Sequence, residues 1–158
     1  MTRLTSSRPA LLPRLLLGLL AAFLLIQLVP YGRAHSNPNV QTEPQWAEPE
    51  TKALFYRACA DCHSNQTKWP WYSNVAPVSW FVQQHVDEGR SKFNINVQGF
   101  GEDAGKAANE VREGGMPLPT YLPMHPEARL TDAEKQQLIQ GLAATFGDKK
   151  GGGEGDKK

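Results

Sequence analysis

The longest apolar stretch of the chain lies near its start. Leu15 to Val29 is broken only by Gly18 and Gln27. Leu11 and Leu12 extend it toward the ~20 residues that span a bilayer. Later patterns are shorter and amphipathic. From Pro49 to Cys59, Leu54, Phe55 and Ala58 share one helical face, and Pro49 suits a first-turn position. Val78, Phe81, Val82 and Val86 predict a second helix from Pro77 to Gly89, with Gly89 as its stop. Ala104, Ala107, Ala108 and Val111 predict a third, ended by Gly114-Gly115, whose small residues suit close packing. Thr131-Asp132-Ala133-Glu134 is a capping box; it opens a last helix with Leu138, Ile139, Leu142 and Phe146 on one face, ended by Gly147.

Between these elements, Ser64 to Ser73 reads as a loop. Phe93, Ile95 and Val97 alternate, but a single strand has no partner, so Phe93 to Phe100 reads as extended loop. The pattern as a whole predicts an all-α protein: an N-terminal transmembrane helix followed by a small helical domain. Residues 1–34 form the signal anchor and 35–48 a linker. Residues 49–147 form one domain of about 100 residues, and 148–158 a disordered tail of Gly, Lys, Asp and Glu. Pro38 and Pro44 make the linker an extended, semi-rigid spacer, and His35 reads as a solvated residue on it.

Charge sharpens the topology. Arg3, Arg8 and Arg14 precede or open the apolar run, and no acid appears before Glu43, so the rest of the chain is expected to be translocated. The rival is a cleaved signal peptide, with Gly32-Arg33-Ala34 as the cleavage site and a secreted form beginning at His35. Four of the 17 basic residues precede Glu43. The remainder carries 13 basic against 16 acidic residues, a net charge of −3. That leaves no basic face for nucleic acid.

The only two cysteines lie in Cys59-Ala60-Asp61-Cys62-His63. C-x-x-C-H is the attachment signature of c-type haem. Two thiols at this spacing can form thioethers with both haem vinyl groups, and His63 then lies where an imidazole can take the proximal position on the iron. A thioredoxin-like dithiol expects a βαβ context, which the pattern lacks. A structural zinc site wants a fourth ligand from a second pair, and none is present. A disulfide between helical residues three apart is geometrically poor.

A six-coordinate haem needs a second axial ligand. Met116 lies in Gly114-Gly115-Met116-Pro117-Leu118-Pro119, where the glycines end the helix and Pro117 biases Met116 to an extended shape. It is the first candidate for the distal iron ligand. Met124 is the second, with His85 and His125 as histidine alternatives. Trp69, Trp71 and Tyr72 either pack on the haem edge or belong to the ordinary core.

Helix, C-x-x-C-H, loop, helix, G-x-M-P and a capped terminal helix together resemble a class I cytochrome c. More narrowly, the sequence resembles the bacterial haem-binding domain family. The likeness is carried by Cys59–His63, by Ser64-Asn65-Gln66-Thr67-Lys68-Trp69-Pro70-Trp71-Tyr72-Ser73, by Ala76-Pro77-Val78-Ser79-Trp80, by Gly89-Arg90 and by His125-Pro126-Glu127-Ala128-Arg129-Leu130. It spans about Asn37 to Gly147. It implies a mostly helical, mono-haem protein with its haem domain in the periplasm and a single-pass anchor in the inner membrane, haem being attached after export.

The expected function is electron transfer through a covalent haem c held by Cys59, Cys62, His63 and Met116. Its partners would be redox proteins of the periplasm, and the protein itself would catalyse no bond chemistry. The alternative is a haem peroxidase, or a gas or redox sensor module, with a labile sixth ligand and His85 or His125 as distal acid–base group.

Overall fold

The computed structural model describes residues 11–149. Among them the fold is all-α, with six helices and no strand: α1 (Leu11–Ile26), α2 (Pro49–Ala58), α3 (Ala60–His63), α4 (Val78–Lys92), α5 (Ala107–Arg112) and α6 (Asp132–Phe146). Short 3-10 turns cover Trp71–Asn74, Ala104–Lys106 and Pro126–Ala128. Arg3, Arg8 and the tail from residue 150 lie outside the described residues.

The helix α1 buries no residue. Its described part covers 16 residues, about 24 Å at 1.5 Å per residue. No helix among the described residues is long and apolar enough to cross a membrane. The transmembrane helix expected from the sequence is therefore not shown; the helical part of the apolar run stops at Ile26, before the run itself ends.

The core forms where α2, α5 and α6 meet. Leu54 and Phe55 of α2, Val111 of α5, and Leu138 and Leu142 of α6 are buried together with Phe93 and Ile95. Each such side chain contributes roughly 1.5–3 kcal/mol on burial. The capping box forms as the sequence predicts: Thr131 Oγ1 accepts from Glu134 N at 3.2 Å, and the Glu134 carboxylate accepts from Thr131 N at 2.8 Å. Where α2 crosses α6, Gly141 is required, because a Cβ there would lie 1.8 Å from Thr51 Oγ1.

Four elements differ from the sequence reading. The helix α4 runs through Gly89 to Lys92, so Gly89 is a buried helix-interior residue and not a stop. The third helix is a 3-10 turn at Ala104 followed by the short α5, with Gly114 at φ +78° after it. The segment from His35 to Glu48 is extended but fastened down. Asn37 donates to Thr67 O, Asn39 O accepts from Asn65, Gln41 N donates to Asn96 O, and Trp46 packs on Phe55 and Phe146. His35 is part-buried rather than solvated: its Nε2 lies 2.9 Å from Ser73 Oγ, and its ring stacks on Trp69. The first tail residues are also held, since Asp148 pairs with Arg112 and Lys149 N donates to Gly105 O.

Phe93 to Phe100 is a loop, as expected, yet Phe93, Asn94, Ile95 and Asn96 are all buried. The asparagines satisfy one another: Asn94 Nδ2 donates to Asn65 Oδ1, Asn65 N to Asn96 Oδ1, and Asn96 N to Asn94 Oδ1. This polar knot places the segment directly under the Cys59–His63 motif, where Ile95 N donates to His63 O at 3.0 Å.

Candidate haem site

The motif sits at a break between two helices. Cys59 leaves helical geometry (φ −130°, ψ −34°) and serves as both the end of α2 and the start of α3. Cys62 and His63 lie on the single turn of α3. The two cysteines form no disulfide with each other. Burial pushes the Cys59 thiol up to about 12, with Cys62 adding to it. Burial also pushes Cys62 up to about 11, with Asp61 adding to it.

His63 has a defined tautomer. Its Nδ1 lies 2.8 Å from Phe93 O. A carbonyl only accepts, so Nδ1 carries the proton and Nε2 keeps its lone pair. Among the described residues no hydrogen bond is made to Nε2. Burial lowers the His63 pKa, opposed by the backbone carbonyls of Phe93 and Gly89. The neutral imidazole is the ligating form, and a backbone acceptor on the other nitrogen is the usual partner of a metal-bound histidine.

The surrounding loops are pinned by side chains. Asp61, between the two cysteines, accepts from Lys68 N at 3.0 Å and from Tyr121 OH at 2.7 Å. Burial followed by the bond to Asp61 raises the Tyr121 phenol far above its ordinary range. Arg90 on α4 donates from Nε to Ser64 O, from Nη1 to Ser36 O, and from Nη2 to Asn37 Oδ1 and Thr67 Oγ1. It thereby locks the residue after His63 to the N-terminal strap.

A cavity of about 190 Å³ is lined by Cys59, Cys62 and His63 and also by Met116, His85 and Tyr121. It shares Cys59, His63 and Met116 with a second cavity of about 170 Å³ that reaches Phe55, Phe93 and Leu142 of the core. A third, of about 300 Å³, adjoins it through Cys62, Asp61 and Tyr121. The three cavities cluster around the motif and share residues of their walls. The donor set fits a covalent haem: two thiols, an imidazole with a free Nε2, and a thioether on one cavity.

The other candidates are placed differently. Met124 lines only the 300 Å³ cavity and is 57% exposed. Both nitrogens of His125 are engaged, Nε2 with Tyr72 OH at 2.6 Å and Nδ1 with Glu127 Oε1 at 3.0 Å, and its ring stacks on Tyr121. His85 lines the 190 Å³ cavity with Nδ1 held by Phe81 O at 2.8 Å. Among the described residues no cluster of three or more His, Cys, Asp or Glu is disposed to hold a metal ion. Sequence reasoning missed Tyr121, Asp61 and the Phe93 carbonyl, which no local motif marks. It also misread Gly89, whose close contact with Cys62 no local pattern marks.

The site thus defines a haem-binding helical protein. The chain belongs to the haem-binding domain family, whose model matches residues 21–144. No curated protein and no solved structure matches it.

Proposed function

We propose that the protein is a mono-haem c-type cytochrome that transfers electrons. Cys59 and Cys62 would hold the haem by thioethers, His63 Nε2 would take the proximal iron position, and Met116 Sδ the distal one. The observation that carries this reading is that all four line one cavity, with Nε2 of His63 left free by the Phe93 carbonyl. When bound, the haem supplies one-electron chemistry. The chain's own part is to hold the imidazole neutral and oriented, to offer a soft thioether, and to surround the iron with a largely apolar cleft. Two protein ligands leave no position for substrate, so no bond chemistry is assigned to the protein.

The apolar run and its basic flank support an N-terminal membrane anchor in the inner membrane, with the haem domain in the periplasm among its redox partners. The cleaved alternative would release the same domain from His35 onward.

His85 supports a second reading, a peroxidase or gas sensor, because it lines the same cavity as Met116 and could serve as a distal acid–base group. Visible spectroscopy of the purified haem-loaded protein separates the two. Electron transfer predicts a low-spin ferric spectrum with a weak long-wavelength sulfur–iron band and slow CO binding in the ferrous state. A five-coordinate ferric spectrum with rapid CO or cyanide binding favours the enzyme or sensor.

A further inference from the structure

Gln27 is the one strongly polar residue inside the apolar run, and its partner lies just before α4. Its Nε2 donates to Ala76 O at 2.9 Å and its Oε1 accepts from Ala76 N at 3.0 Å. Ala76 is fully buried, so Gln27 satisfies both of its backbone groups. Arg33 Nη2 donates to the same Oε1 at 2.9 Å. Ser79 is also fully buried, and its hydroxyl donates to Tyr31 O at 3.4 Å.

The backbone from Gln27 to His35 is shaped to this corner. Gly32 is buried at φ +78°, so close to α4 that a Cβ would lie 2.2 Å from the Ser79 carbonyl oxygen. His35 stands at φ +47°, a conformation uncommon for a residue with a Cβ and kept only where the surroundings hold it. Ser73 and Trp69 hold its ring on one side. The Gln27–Arg33 segment, fixed to Ala76 and Ser79, holds the chain on the other. A free spacer would make none of these contacts.

A cut after Ala34 would remove Gln27, Tyr31, Gly32 and Arg33 together. Ala76 N, Ala76 O and Ser79 Oγ would lose these partners. They must then go unpaired, or the corner must open to water, and either loosens the entry to α4. We propose that residues 27–34 are a retained part of the folded domain, the peptide bond between Ala34 and His35 staying uncut in the exported protein. This proposal rests on the reading of the apolar run as an export segment, and it commits that segment to the retained form. Every contact involved is between groups of the chain itself.

The test uses the full haem-loaded chain, exported by a host able to attach haem. Its intact mass should include Gln27 and the residues after it; a major form beginning at His35 would overturn the proposal. Gln27→Leu keeps the run apolar and removes both bonds to Ala76. A residue that served only an apolar segment would accept leucine without loss. The Ala76 amide should instead exchange its hydrogen about tenfold faster in Gln27→Leu than in wild type, with the Leu138 amide inside α6 unchanged. Acceleration at both amides would equally place Gln27 in the fold, and an unchanged rate at Ala76 would overturn the proposal. Should Gln27→Leu fail to accumulate, the wild-type mass still decides. A wild-type mass without haem counts against the cytochrome reading alone. A chain that is not exported ends the export reading, and exchange at Ala76 still decides whether Gln27 belongs to the domain.

Discussion

Gly89 on α4 rests directly on the backbone of Cys62: a Cβ at Gly89 would lie 2.5 Å from the Cys62 carbonyl oxygen and 3.0 Å from the Cys62 Cβ. This contact sets α4 against the single turn that carries Cys62 and His63. Alanine at this position gains about 1 kcal/mol of helix propensity. Overpacking against a backbone atom costs about 1–3 kcal/mol, and the atom here cannot move without moving the haem motif. Gly89→Ala should therefore lower the melting temperature and reduce haem incorporation. Gly141→Ala, which clashes with Thr51 instead, should lower stability while the motif keeps its geometry. Haem content and thermal unfolding of the two variants check this, and equal haem loss in both would refute it.

The buried asparagine knot makes a second prediction. Asn96→Leu removes the acceptor of Asn65 N and the donor to Thr42 O. Each buried group left without a partner costs about 1–3 kcal/mol. Denaturant unfolding should show a loss of that size or more, and an unchanged midpoint would show that the knot is dispensable.

These residues also mark the limit of what the sequence discloses. The helix α6 was legible to its first residue, because the Thr131–Glu134 box and the Leu138, Ile139, Leu142 spacing are local signals. The Cys59–His63 motif was legible for the same reason. The strap from His35 to Glu48 was not: proline and asparagine read as linker, and only the folded partners Thr67, Asn65 and Asn96 show otherwise. Gly89 carried the right residue type for two opposite roles, helix stop and close contact, and only the position of Cys62 distinguishes them. Gln27 read as an interruption because its partner, Ala76, lies 49 residues away.

Acid should weaken the α2–α6 junction. The Glu134 carboxylate is held below its ordinary value of 4.5, first by the Thr131 backbone N–H, then by Arg57 and the Thr131 hydroxyl. A lowered folded pKa gives stabilisation that is present above the ordinary value and lost as pH falls through the lowered one. Glu134→Gln should therefore flatten the stability profile below about pH 4.5. Thr131→Ala should cost about 1 kcal/mol at neutral pH through loss of the cap. Urea midpoints across pH 3 to 7 check both, and identical acid slopes for wild type and Glu134→Gln would contradict the first.

The distal ligand is tested by three substitutions. Met116→Ala should open the iron, speed CO binding and lower the reduction potential, while haem stays attached. Met124→Ala should leave the spectrum nearly unchanged, because that side chain lines only the outer cavity. His85→Ala should do the same. A shifted spectrum in His85→Ala with an intact one in Met116→Ala would move the assignment to the histidine.

The central claim is covalent attachment of one haem at Cys59 and Cys62. It is tested most directly by the intact mass of the denatured, acid-extracted protein, made in a host able to attach haem. The account predicts a mass raised by one haem, reduced in occupancy or lost in Cys59→Ala and Cys62→Ala. A wild-type mass equal to the bare polypeptide, with the haem found in the extract, would contradict it.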